Sequence, residues 1–434
     1  MKNILTVGYA GMTHLGLVSA ISAAAKGFSH NINIIGYQQD NADALKKSIL
    51  PVVEPDLNDL LTENKENISF TENLEDLKKC DILYIASDVP TNDKAESDLS
   101  SIENLVDKVI SYLSETTVIV ILSQVNPGFT RSLEKKYASL LKGRLFYQVE
   151  TLIFGRAVER AMYPERFMIG AVEKNIALPN SLERFLSIFN CPIFVMSYES
   201  AELAKISINM YLVSTVTTTN MLAEVCDKIG AEWNDIAETL RLDKRIGSYA
   251  YLSPGLGLSG GNLERDLATI LNLSSTHGNN STLVKTWLDD HEYRADWALR
   301  KLHESVLNKK ERPTIAVWGL SYKINTHSIK NSPSLRLLKN LHPFKVMAYD
   351  PVVKEIEGYD HVTLCESAMT ACQGADVLLV MTPWDEFKSF TINNVAHNMK
   401  TPTIIDPFEV FDVSNNKSVN IQYFVLGKAN KISA

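Results

Sequence analysis

The sequence has few cysteines, no long apolar run and no excess of positive charge, and each shortage excludes a class of protein. The five cysteines (Cys80, Cys191, Cys226, Cys365, Cys372) are odd in number and form no CxxC pair. That excludes a disulfide scaffold or zinc ribbon, implies no metal site, and points to a reducing, cytoplasmic setting. No apolar stretch reaches the roughly 18–20 residues that span a bilayer, so no membrane partner is expected. The opening segment Met1 to Gly8 meets a glycine too early for a secretion signal and reads as a first β-strand. Lys+Arg 43 against Asp+Glu 51 gives a net charge of −8, which disfavours polyanion binding and hence a nucleic-acid partner. A local basic pocket for a small phosphate ligand remains compatible with that balance.

With 45% hydrophobic and 22% charged residues, the composition is that of a globular protein, excluding disorder and fibrous repeats. The 434 residues suggest about three domains at roughly 150 residues each. Apolar runs at Ile4–Ala10, Ile32–Tyr37, Asp81–Ala86 and Thr117–Leu122 are continuous rather than alternating, as parallel strands covered on both faces require. Leu15–Lys26 between the first two reads as a helix of small residues. A second such series, Thr314–Gly319, Phe344–Asp350, Asp376–Met381 and Pro402–Asp406, follows Arg312-Pro313. Between the series, Leu203, Ile206, Met210, Leu212 and Val213 recur at helical spacing; a helix apolar round much of its surface suits a dimer core. The expected fold is α/β: two Rossmann-like doubly wound domains joined by a long central helix and a helical connector. The boundaries expected are 1–196 for a dinucleotide-binding domain, 197–300 for a helical dimerisation domain and 301–434 for a second Rossmann-like domain.

Gly8, Gly11 and Gly16 cluster where the first strand becomes the first helix. Glycines there let the backbone approach a pyrophosphate, with the helix N-terminus supplying unpaired N–H groups. The pattern is imperfect, since Thr13 occupies the middle glycine position. The second strand should end on an acid that holds ribose hydroxyls, but Gly36 and Tyr37 fall at its tip and Asp40 comes late. No arginine argues for a 2′-phosphate, so NAD is the expected cofactor.

Further patterns occur in a fixed order. They are Pro51 to Leu57, Val89-Pro90-Thr91 with Ser97 to Ser100, Pro127-Gly128-Phe129-Thr130, Glu150 with Gly155, Tyr163 to Arg166, Glu202-Leu203-Ala204-Lys205 with Asn209, Pro254 to Asp266, Gly319 to Thr326, Ser332-Pro333-Ser334, Ala348 to Pro351, and Trp384 to Phe387. In this order they resemble the UDP-glucose/GDP-mannose dehydrogenase family almost from end to end. The resemblance implies an enzyme that oxidises C6 of a nucleotide sugar twice with NAD. It also implies an N-terminal cofactor domain, a C-terminal nucleotide-sugar domain, and a homodimer formed through the central helix.

The resemblance assigns Lys205 and Asn209 to the alkoxide, and their i, i+4 spacing puts them on one helix face. It assigns Asp266 to proton transfer through a water and Glu150 to the active site. The cofactor would be held by Gly8, Gly11, Thr13, Gly16, Pro90, Thr91, Gln124, Arg265 and Lys330. The sugar nucleotide would be held by Arg245 (from across the dimer), Tyr251, Gly257, Gly260, Gly261 and Lys323. The departures are equally specific. Asn262 occupies the family's nucleophilic cysteine position, and a carboxamide cannot replace a thiolate. Gln124 replaces a catalytic threonine, Phe154 replaces a second glutamate, Glu264 stands where proline is common, and His327 to Lys330 replace an acidic pair and an arginine. Cys226 reads as a small core residue on a helix. Three readings remain open. The first is NAD-dependent C6 oxidation, either stopping at the aldehyde or passing through its hydrate with Asp266 as base. The others are a catalytically altered or inactive binding homologue, and a nucleotide-sugar enzyme with no net redox change.

Overall fold

The computed structural model describes residues 4–40, 42–92, 95–258, 261–412 and 421–429. The chain forms two compact units that divide between Ile208 and Asn209. The first holds β1 (Leu5–Ala10), β2 (Ile32–Tyr37), β3 (Ile68–Thr71), β4 (Ile82–Ile85), β5 (Val118–Ile121), β6 (Leu145–Gln148), β7 (Phe167–Ala171) and β8 (Ile193–Ser197). They form one sheet in the order β3-β2-β1-β4-β5-β6-β7-β8. Neighbours from β3 to β6 run parallel, and β7 turns antiparallel to β6. The run β3-β2-β1-β4-β5-β6 is the doubly wound order of a dinucleotide-binding fold, and its direction of winding reverses beside β1.

Both faces of this sheet are covered, which explains the continuous apolarity of β4 and β5. One core gathers Val7, Ile34, Ile82 and Val120 under the first helix (His14–Gly27), and the opposite core gathers Leu83, Ile119 and Tyr147. Tyr9 stacks on Tyr84 with ring centroids 4.9 Å apart, in the core that the first helix shares.

The second unit repeats the order with β9 (Thr314–Trp318), β10 (Lys345–Tyr349), β11 (Val362–Leu364), β12 (Val377–Val380), β13 (Thr403–Ile405) and β14 (Gln422–Phe424). Their order is β11-β10-β9-β12-β13-β14, all parallel. The expected α/β class with two Rossmann-like sheets is therefore observed. A helix of 32 residues, Tyr198–Ile229, carries the chain from the first unit into the second. Within the first unit Tyr198 donates from its hydroxyl to Leu145 O at 2.7 Å. Within the second, Asn220 Oδ1 accepts from Gly255 N at 2.8 Å and Thr219 Oγ1 donates to Tyr251 O at 3.1 Å. Helices Trp233–Leu242, Asn262–His277, Thr282–Ala295 and Trp297–Leu302 follow. Among the described residues no helix is long and apolar enough to cross a membrane.

Candidate active site

The glycine turn follows β1, next to the reversal in strand order. Gly11 has φ +94°, and a Cβ there would meet Ser87 Cβ at 2.8 Å and Ser87 N at 2.9 Å. A Cβ at Gly16 would stand 1.9 Å from Gly11 O, so the helix can leave the strand this tightly only with glycine there. Gly8 is different: it lies inside β1, and a Cβ would strike Cys80 Sγ at 2.7 Å and Leu83 Cδ1 at 2.8 Å. Its requirement is close packing rather than part of the turn.

Thr13 precedes the helix in extended conformation and makes no capping bond; its Oγ1 accepts from Asp88 N at 2.8 Å. The tip of β2 carries an amide where an acid was sought. Gln38, one residue beyond Tyr37, accepts from Met12 N through Oε1 at 2.8 Å. The turn suits a dinucleotide, because a Cβ at either glycine would fill its floor and Thr13, the residue before the first helix, makes no capping bond of its own. NAD, when bound, accepts a hydride; Gly11, Thr13, Gly16 and Gln38 line the turn that would hold it.

The loops after β4 and β5 border the turn. Ser123 Oγ donates to Ser87 O at 2.6 Å and places Gln124, half-buried, beside that segment. Pro90 O accepts from Asp98 N at 2.9 Å and Thr91 bridges Ser97, closing the 90–98 loop on itself.

Glu54, which the sequence offered only as part of the Pro51 to Leu57 pattern with no role of its own, holds the Glu150 loop. Glu54 is buried and accepts from His14 Nε2 at 2.8 Å, from Gly155 N at 2.9 Å and from Ala157 N at 3.3 Å. Burial works to raise its carboxyl, but these bonds outweigh it and hold the carboxyl below its ordinary range. Glu54 thus ties the cofactor turn to the 150–157 loop. Phe154, exposed, lies against the His14 ring at 4.3 Å between centroids. Glu150 Oε2 lies 3.7 Å from Lys205 Nζ, with both side chains largely buried. Glu202, one turn before Lys205, caps helix Phe129–Lys136 by accepting from Gly128 N at 2.6 Å and Thr130 N at 2.8 Å. Its burial raises its carboxyl pKa against the pull of those bonds.

The second unit holds Asn209 and the 254–266 segment. Asn209 Nδ2 donates to Asp266 Oδ2 at 2.6 Å, both residues buried, and Arg265 Nε lies 3.5 Å from Asp266 Oδ1. Asn262 opens helix Asn262–His277 and is exposed. Gly257 (φ +83°) backs onto His291, and Gly261 (φ +87°) is the residue before that helix, where a Cβ would approach Lys330 Cε at 3.3 Å. Gly260 lies outside the described residues. His291 Nδ1 accepts from Leu258 N at 3.0 Å, and its Nε2 lies 3.5 Å from Glu264 Oε1, while Asn331 donates to Glu264 Oε2. The sequence signal was Glu264 in a position common for proline: it pins the loop to its neighbours.

Tyr251 is half-exposed, and Lys323 lies 5.5 Å above the Tyr322 ring. Arg245 is exposed and, among the described residues, pairs with Asp243, 2.6 Å from Nη2 to Oδ2. Asp350, at the tip of β10, accepts from Leu320 N at 2.7 Å and Ser321 N at 3.1 Å, so its carboxylate shapes the second glycine turn. Burial works against the thiolate form at each cysteine. Burial pushes Cys80 up to about 12 and raises Cys191, Cys226, Cys365 and Cys372.

The family models match along nearly the whole chain. The NAD binding domain of the UDP-glucose/GDP-mannose dehydrogenase family covers residues 5–190, its central domain 199–291 and its UDP binding domain 316–413. The chain belongs to the UDP-glucose/GDP-mannose dehydrogenase family. It is an NAD-dependent nucleotide-sugar dehydrogenase by that membership, with NAD the cofactor of its N-terminal domain. Among its relatives, the UDP-glucose 6-dehydrogenase of Rickettsia conorii is 27% identical over 98% of this chain and 99% of its own length. The UDP-glucose 6-dehydrogenase TuaD of Bacillus subtilis is 27% identical over 99% and 94% respectively. A UDP-glucose dehydrogenase from Pyrobaculum islandicum shares this family fold with a TM-score of 0.84 at 22% identity, covering 98% of each chain.

Proposed function

We propose that the chain oxidises C6 of a UDP-glucose-like nucleotide sugar with NAD and releases the aldehyde. One observation carries this reading. Lys205 and Asn209, one turn apart on the long helix, each face an acid: Glu150 at 3.7 Å and Asp266 at 2.6 Å. An ammonium and an amide so placed stabilise the alkoxide that forms as the alcohol proton leaves. Glu150 orients the Lys205 side chain. Asp266, held by Asn209 and Arg265, accepts the alcohol proton through a water. Asn262 stands for the thiol that would capture the aldehyde, and no cysteine occurs between residues 254 and 266. Without a covalent thiohemiacetal nothing tethers the aldehyde to the chain, so it dissociates before its hydrate can give up a second hydride.

The further binding roles go to Pro90, Thr91, Gln124, Arg265 and Lys330 for the cofactor, and to Tyr251, Gly257, Gly261 and Lys323 for the sugar nucleotide. Three domains, with boundaries near 196 and 300, follow the same reading. Exposed Tyr211, Met221, Val225 and Ile229 on the long helix support a homodimer that would carry Arg245 to the partner's site. Five free cysteines support a cytoplasmic location. The test is stoichiometry: with limiting UDP-glucose and excess NAD, one NADH forms per sugar. Two per sugar overturns the aldehyde product, and none with any UDP-, GDP- or TDP-sugar overturns the dehydrogenase reading.

A further inference from the structure

The segment after β4 folds back onto the cofactor turn, close enough that a methyl at Gly11 would touch Ser87 N. The next residue, Asp88, is exposed. Its backbone N–H is fixed by Thr13 Oγ1 at 2.8 Å, and its carboxylate Oδ2 lies 3.5 Å from Leu15 N. Leu15 is the second residue of the first helix, and its N–H is one of those no helical carbonyl reaches. A carboxylate therefore stands where the helix gathers partial positive charge, at the place a dinucleotide diphosphate takes in such a turn. Two groups beside it are engaged elsewhere. His14, the titratable group in the helix's first turn, is bonded through Nε2 to the Glu54 carboxylate. Gln38 is neutral and bonded to Met12 N.

The geometry points to Asp88 as a residue that sets cofactor affinity: its carboxylate competes with the dinucleotide diphosphate for the N-terminus of the first helix, and the cofactor enters by displacing it. This rests on the dinucleotide reading of the turn. The backbone of residue 88 stays on Thr13, so only the side chain must swing away. A single 3.5 Å contact from an exposed side chain makes that movement easy. Because the repelling charge is exposed, salt screens it, and its effect on affinity is about three- to tenfold at low ionic strength.

Asp88→Asn keeps the size and the backbone bond and removes the charge. Calorimetric titration with NAD is expected to show about three- to tenfold tighter binding by the variant at low salt. The gap should close towards ~1 M salt, where the screening length falls to about 3 Å. Adenosine, which lacks phosphate, should bind both proteins equally, an outcome that a merely structural role for Asp88 does not predict. Unchanged or weaker NAD binding by the variant overturns the proposal, as does a gain equally large at all salt concentrations or shared by adenosine. If neither protein takes up NAD at any salt, the dinucleotide reading fails with it; measurable but equal affinities overturn the role of Asp88 alone.

Discussion

Replacing Gly16 by alanine tests the cofactor turn at its tightest point. The added Cβ would stand 1.9 Å from Gly11 O, 3.0 Å from Gly11 C and 3.1 Å from Ala86 O. All three are backbone atoms, so no flexible side chain can yield. A carbon normally approaches a carbonyl oxygen to about 3.3 Å, so the turn must open by about 1.4 Å. Overpacking costs about 1–3 kcal/mol where neighbours adapt, and a rigid backbone puts this substitution at about 3 kcal/mol. The melting transition of the first unit should fall by about 6–12 °C. An opening of that size at the phosphate end should weaken NAD by about 100-fold or more. UDP, assigned to the other unit, supplies the control: its calorimetric affinity should be retained. Gly16→Ala with NAD affinity within about threefold of the parent and an unshifted melt would refute the reasoning that this contact shapes the cofactor turn.

Two further predictions concern charge. Lys205→Met removes the ammonium held 3.7 Å from Glu150, and kcat should fall about 100-fold or more while UDP-glucose affinity, measured by calorimetry, is unchanged. Asp406 is wholly buried, and burial pushes its carboxyl up to about 6 against the bonds from Tyr423 and the 408–411 backbone. Unfolded, it titrates near ~3.9, so between these values the folded form binds more protons; its share of stability is largest below about pH 4 and is lost as pH rises through about 6, by ~3 kcal/mol. Denaturant unfolding from pH 4 to 7 should show that slope in the parent and its loss in Asp406→Asn, whatever the variant's own cost. Parallel slopes would contradict it.

The long buried strands were legible because a sheet covered on both faces forces continuous apolarity. Ile32–Tyr37 matches β2 at both ends, and Thr314–Gly319 overruns β9 by one residue. Strands β3, β6, β7, β8, β11 and β14 were not singled out, because a short apolar run such as Ile193 to Met196 does not by itself tell a strand from a helix. At the site, residues bearing recognisable chemistry, such as Lys205, Asn209 and Asp266, stood out by order and spacing. Those that act through long-range contacts did not. Glu54 reaches Gly155 across about a hundred positions, and His291 takes Leu258 N from another helix; neither pairing leaves a local pattern. Gln38 was the nearest miss: the strand was placed correctly, but an amide at its tip gives no acidic signal.

In the proposed reaction, oxidation ends at the aldehyde because residue 262 offers an amide where a thiolate is needed. Mass spectrometry of the product from UDP-glucose and NAD, run in parallel on the parent and on Asn262→Cys, measures this directly. The parent is expected to give the dehydrogenated sugar, as aldehyde or hydrate, and only the variant the uronic acid. A uronic acid made by the parent chain would contradict it.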